Sequence, residues 1–240
     1  MTSPILITGV GKRLGLALAT HCLEKGQPII GTYRTPTKGI EALFDAGATL
    51  YQCDFYQPEQ VQLLIERIKT DFKALRAVVH NASDWDKEAG NNDLPHLFQK
   101  MICIHAAVPY QLNFALHDLL TFSAVPDELG TRDIIHVTDF VAATGSGKHI
   151  AYAASKAALE NLSLSFAKKY APIIKVNSIA PALMLFNPSD SESYRERTVQ
   201  KALIPKEGGE KEFIDTVNYL LESRYITGRT VHLDGGRHLK

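Results

Sequence analysis

The stretch Ile5-Leu6-Ile7-Thr8-Gly9-Val10-Gly11-Lys12-Arg13-Leu14-Gly15 decides the fold. An apolar strand runs into a glycine-containing turn, and the turn feeds straight into a helix. Glycine permits the tight turn and close backbone approach, and a helix N-terminus offers unpaired N–H groups to an anion, so the segment reads as a phosphate site. Its candidate contacts are Gly9, Lys12, Arg13, Leu14 and Gly15. Lys12 and Arg13 are cations at a place the helix dipole disfavours, which a nearby anion would explain.

Outward from that turn, short apolar runs recur at residues 28–33, 49–53, 77–80, 134–138, 173–179 and 230–233. Their hydrophobicity is continuous, not alternating, as in strands covered on both faces. Between them lie segments of helical period at 14–24, 37–46, 58–72, 97–120, 152–170 and 211–222. Strand and helix alternate to the end, which predicts an α/β chain: one Rossmann-type domain over residues 1–240, a doubly wound parallel sheet with ligands at the carboxyl ends of its strands. Residues 182–209, with Pro188, Pro205 and Gly208-Gly209, form the one irregular insertion and read as a substrate lid.

Composition bounds the partners. The 240 residues carry 26 Lys+Arg against 26 Asp+Glu, so no overall basic field recruits nucleic acid or anionic lipid, and a small molecule is expected. No apolar run approaches the roughly 18 residues of a membrane span, and the N-terminal residues lack the charged and apolar regions of a signal peptide. A cytoplasmic protein is expected. Cys22, Cys53 and Cys103 are widely spaced and read as buried thiols, and no metal site is indicated.

An NAD site usually ends its second strand on a carboxylate that accepts from the ribose 2′-hydroxyl. Here the strand ends Thr32-Tyr33-Arg34, and a cation there suits the 2′-phosphate of NADPH. Asp54, past the third strand, is placed to meet the adenine. Farther on, Tyr152-Ala153-Ala154-Ser155-Lys156 sets a phenol and an ammonium on one helix face. The ammonium is expected to lower the phenol pKa toward working pH, as a general acid requires.

Five segments in order resemble the short-chain dehydrogenase/reductase family: Thr8 to Gly15, Asn81-Ala82-Ser83, Tyr152 with Lys156, Asn177-Ser178-Ile179-Ala180-Pro181, and Ile226-Thr227-Gly228 with Leu233-Asp234-Gly235-Gly236. The resemblance implies that Tyr152 protonates the substrate, that Lys156 binds the nicotinamide ribose, and that Asn81, Ala82, Ser83 and Pro181 flank the cofactor. It also implies a homotetramer or homodimer built through the helices at 97–120 and 152–170.

Two departures narrow it. Arg13 replaces the middle glycine of the turn, and Asp139 stands where the family usually has serine. Both resemble the pteridine reductases, and within them Asp139-Phe140 and the terminal Asp234-Gly235-Gly236-Arg237-His238-Leu239 resemble the bacterial dihydromonapterin reductases, which reduce a dihydropterin and act weakly on dihydrofolate. A pterin needs an aromatic face and hydrogen-bonding groups, and Trp85, Ser83, Arg13, Asp139, Tyr152, Leu183 and Phe186 are the candidate substrate contacts. His105, where the family often has asparagine, either serves the site or is a packed core histidine. A reductase of another carbonyl, such as an oxoacyl or sugar ketone, and a non-catalytic NADP sensor are the competing readings.

Overall fold

A computed structural model describes residues 2–122 and 131–240. The chain runs β1 (Ile5–Thr8), α1 (Arg13–Glu24), β2 (Ile29–Tyr33), α2 (Lys38–Asp45), β3 (Thr49–Gln52), α3 (Pro58–Asp71), β4 (Ala77–His80) and α4 (Leu94–Ile102). A π-helical turn over Cys103–Ala107 then leads to α5 (Val108–Ala115) and α6 (His117–Thr121). Next come β5 (Arg132–Val137), α7 (Val141–Thr144), α8 (Ile150–Tyr170), β6 (Ile174–Pro181), α9 (Glu192–Val199), α10 (Gly209–Glu222), β7 (Thr230–Leu233) and a 3-10 turn over Arg237–Leu239.

The strands form one seven-stranded sheet in the order β3-β2-β1-β4-β5-β6-β7, every neighbouring pair parallel. The expected doubly wound α/β architecture is present. Helices cover both faces: Leu18, Val79, Ile135 and Val217 belong to one core, and Leu64, Val78, Ile134 and Phe166 to the other. Chain order reverses between β1 and β4, which opens a crevice at the carboxyl ends of those strands.

Two elements differ from expectation. The single helix at 97–120 is broken into α4, the π-helical turn, α5 and α6. Pro109 explains the break, because it has no N–H to donate and its ring crowds the carbonyl four residues back, so the helix relaxes through a wide turn. The insertion also contains α9, started by Ser191, whose hydroxyl accepts from the Tyr194 N–H. Its face is too polar to show an apolar period. Cys22 and Cys53 are buried as expected, whereas Cys103 is only partly so.

The sheet is tied at its amino end by Asp133, which accepts from Arg76 and from Lys175, both at 2.6 Å. The same two cations donate to the Leu221 and Leu220 carbonyls, which also closes the C-terminal turn of α10. Nearer the carboxyl end, His80 bonds Asn113, Asn113 bonds His136, and His136 bonds Ser163. Burial holds His80 down at about 4, and lowers His136 well below an ordinary imidazole.

These imidazoles stay neutral in the fold while the unfolded chain takes up protons below about 6.5. Their folded pKa values are depressed, so their contribution is present above the unfolded value and lost as pH falls. Stability should therefore drop by about 1.4 kcal/mol per pH unit for each histidine as pH falls from about 6 toward 4. Thermal melts across that range would show it, and a Tm flat from pH 7 to 4 would contradict it.

Candidate active site

The glycine turn is braced from β4. Gly9 has φ +74° and lies against Ala82, where an added Cβ would sit 2.8 Å from the Ala82 Cα. Gly15 is tighter still, since a Cβ there would meet the Gly9 carbonyl at 2.3 Å and Asn81 Nδ2 at 2.4 Å. The Asn81 side chain donates to the Thr8 and Gly9 carbonyls, and the Thr8 hydroxyl accepts from the N–H groups of Asn81 and Ala82. Asn81 thus shapes the cradle. No side chain caps α1 and no acid occupies its first turn, so its leading N–H groups face outward for an anion.

Arg13 sits at φ +54°, a conformation that favours glycine. An arginine there carries backbone strain of order 1 kcal/mol, a sign that its side chain has a task. The guanidinium donates to Asn187 Oδ1 at 2.7 Å and to the Leu185 carbonyl at 2.8 Å, joining the cofactor turn to the insertion. Lys12 is exposed beside it, while Leu14 packs partly into the core.

At the end of β2, Tyr33 is half-buried and Arg34 reaches outward to Asp84 at 3.2 Å. That hydrogen bond raises the Arg34 pKa further. Asp84 also accepts from the Tyr56 hydroxyl and lies 3.7 Å from Lys100. Asp54 accepts from the Tyr56 N–H, which makes it a turn-forming residue as well as a neighbour of this corner.

The chemical groups meet beyond β5. Tyr152 does not open its helix but follows Ile150 and Ala151 in α8, whose Ala151 N–H is capped at 2.8 Å by Glu88. The Tyr152 hydroxyl donates to Asp139 Oδ2 at 2.9 Å, and Asp139 Oδ1 accepts from the Val141 N–H. Lys156 is buried, donates to the Val137 carbonyl at 2.8 Å, and its ammonium lies 5.7 Å from the Tyr152 ring centre. Arg237 stacks 4.8 Å from the Phe140 ring and adds positive field at Asp139. Sequence reasoning missed Arg237 and Glu88; only the cation in the C-terminal motif hinted at the former.

Burial dominates the titrations here. It raises Asp139 despite the opposing Val141 N–H, Lys156, Tyr152 and Arg237. It lowers Lys156 to about 8, opposed by Asp139. It raises Tyr152 well above an ordinary phenol, reinforced by the Asp139 carboxylate, so the expected lowering by Lys156 is overturned. Burial, and after it the hydrogen-bonded carboxylate, set the shift, while the ammonium does not touch the phenol. Tyr152 is therefore held as a neutral phenol.

The remaining candidates are dispersed. Trp85 is exposed and sets its edge against His149, with ring centres 5.4 Å apart. Phe186 packs on Tyr194 and under Arg195 within the insertion. Leu183 faces a cavity of about 270 Å³ that it shares with Met184, Thr198, Ile204, Leu233 and Arg237, and neither Asp139 nor Tyr152 lines that cavity. Pro181 closes β6, and its carbonyl accepts from the Phe140 N–H. Ser83 opens onto the cleft and bonds His105. Among the described residues no group of His, Cys, Asp and Glu side chains is placed to hold a metal ion.

A family model described as enoyl-(acyl carrier protein) reductase matches residues 9–238, nearly the whole chain. The chain belongs to the short-chain dehydrogenase/reductase family. Among relatives in the short-chain dehydrogenase/reductase family, the dihydromonapterin reductase of Klebsiella pneumoniae is 48% identical over 99% of this chain and 97% of its own. That of Citrobacter koseri is 50% identical over the same shares. Of solved short-chain dehydrogenase/reductase structures, FolM alternative dihydrofolate reductase 1 from Brucella suis, in complex with NADP, aligns with a TM-score of 0.86 and 28% identity, covering 99% of this chain and 96% of that one.

Proposed function

We propose that the chain reduces a dihydropterin, 7,8-dihydromonapterin to its tetrahydro form, using NADPH, with weaker activity on dihydrofolate. The observation that carries the reading is the Tyr152 hydroxyl bonded at 2.9 Å to a carboxyl, Asp139, at the position where ketone reductases of the family resemble one another in carrying serine. The near-half identity to dihydromonapterin reductases supports it.

The residues fit NADPH. Gly9, Gly15, Leu14, Lys12 and the N–H groups of α1 would hold the pyrophosphate, Tyr33 and Arg34 the 2′-phosphate, and Asp54 the adenine side. Asn81, Ala82, Ser83, Lys156 and Pro181 border the nicotinamide end. When bound, the dinucleotide would supply the hydride for the carbon of a ring C=N. Tyr152, kept protonated by burial, donates to the ring nitrogen, and Asp139, which accepts the phenol's hydrogen bond, relays a proton from solvent back to the tyrosinate. Lys156 favours the transient tyrosinate. For Arg13, Ser83, Trp85, Leu183 and Phe186 to enclose the pterin, residues 182–209 must close over the cleft as a lid on this single domain.

Arg34→Asp should reverse the cofactor preference, because a carboxylate accepts from a ribose hydroxyl and repels a phosphate. Comparison of kcat/KM for NADPH and NADH checks this, and an unchanged ratio removes Arg34 from the site. The functional reading itself is tested by NADPH oxidation with dihydromonapterin, dihydrobiopterin, dihydrofolate and a ketone panel. Turnover of ketones alone would favour the carbonyl-reductase reading, and NADPH binding without any turnover a sensor.

A cytoplasmic homo-oligomer is part of the proposal. Among the described residues no helix is long and apolar enough to cross a membrane. Tyr110 and Phe114 on α5 are exposed and stack with Phe166 of α8, which gives these helices an aromatic face suited to a subunit contact.

A further inference from the structure

His105 lies in the π-helical turn and is 1% exposed. Both ring nitrogens contact hydroxyls, Nδ1 at 2.8 Å from Ser155 Oγ and Nε2 at 2.9 Å from Ser83 Oγ, and neither contacts a carboxylate. The direction of each bond follows from counting protons. Ser155 has one hydroxyl hydrogen, and its Oγ is 2.7 Å from the Tyr152 carbonyl, which can only accept. Ser155 therefore donates to Tyr152, and His105 Nδ1–H must donate to Ser155. The Met101 carbonyl favours a proton on the same ring. Burial and the neighbouring Lys156 charge push His105 down to about 2, so the ring is neutral and Nε2 is left as an acceptor.

We propose that His105 is a positioning residue that takes the only hydroxyl proton of Ser83, so that Ser83 shows lone pairs to the cleft and selects a substrate edge bearing N–H or NH2. The proposal rests on the dihydropterin reading for its substrate and on the hydrogen-bond geometry for its polarity. A dihydropterin offers such donors at its 2-amino group, N3 and N8, whereas a ketone offers only an acceptor to that hydroxyl. Ser83 is also close enough to the Tyr152 phenol to favour tyrosinate if it donated there. With its proton committed to His105 it cannot, which leaves the phenol protonated. The discrimination is thus written into a histidine that touches no substrate, through a hydroxyl that has lost its freedom to rotate.

The test combines a spectroscopic and a kinetic readout. Long-range 1H–15N NMR of the labelled full chain, with the His105 signals identified by their loss in His105→Phe, should show the neutral Nδ1–H tautomer from pH 5.5 to 8.5. An Nε2–H tautomer or an imidazolium overturns the proposal. Phenylalanine keeps the ring edge that packs on Tyr152 at 5.3 Å, so the variant preserves that contact. Next, kcat/KM is measured for a dihydropterin and for three analogues, each lacking one donor at the 2-amino group, N3 or N8. At least one analogue should lose about tenfold or more in the unaltered enzyme, and that loss should shrink to about threefold or less in both His105→Phe and Ser83→Ala, with the NADPH Kd of His105→Phe unchanged. Equal losses in all three proteins overturn the proposal. If the Nδ1–H tautomer is found but no dihydropterin is turned over, the functional reading fails while the polarity of Ser83 stands.

Discussion

Replacing Asp139 by alanine is expected to lower dihydropterin turnover by about 10²–10⁴-fold, the range associated with one positioned proton-transfer group. NADPH affinity should stay within about twofold, because Asp139 contacts Tyr152 and the Val141 N–H and not the glycine turn. The size follows from the titration order. Tyr152 is a reluctant acid in this surround, and a buried carboxyl whose own pKa is raised is the group able to restore its proton. Asp139→Asn keeps the shape and removes the titration, so it should be nearly as slow as the alanine variant. Single-turnover kinetics with fluorescence titration of NADPH separates the two quantities. Turnover within about threefold of the unaltered enzyme in either variant would exclude Asp139 from proton transfer.

Gly15→Ala is expected to weaken NADPH binding by at least about 100-fold, close to 3 kcal/mol. The new methyl group would stand 2.3 Å from the Gly9 carbonyl and 2.4 Å from Asn81 Nδ2, so the phosphate turn itself must move. Gly11 is the internal control. Its nearest neighbours to an added Cβ are 3.9 Å away, and Gly11→Ala should bind NADPH within about threefold of the unaltered chain. Calorimetric titration beside thermal melts distinguishes lost binding from lost fold. Equal affinities for the two variants would contradict the cradle described here.

The sheet was legible because its strands are largely apolar runs separated by segments of helical period, although Gly31 lies inside β2 and β5 opens on Arg132 and Asp133. The glycine turn and the phenol, ammonium and carboxyl set were legible because their spacing carries their geometry. Pro109 was visible too, but periodic apolar residues on both sides masked the π-helical turn it imposes. α9 escaped because its residues are polar all round and only Ser191 marks its start. The direction of the Tyr152 shift was out of reach, since spacing places Lys156 on the same face but does not reveal that Asp139 is the group in contact. Arg13 was readable as a departure from glycine, but its bonds to Leu185 and Asn187 span more than 170 positions of chain.

β5 carries a salt-bridged aspartate at its second residue and delivers another aspartate just past its end. Asp133 and Asp139 are separated by roughly 20 Å of near-extended chain, far enough for substitutions at the two ends to add independently. One short strand therefore divides durability from chemistry. Substitutions at the foot should therefore alter thermal stability and leave turnover unchanged, and substitutions at the tip should do the reverse.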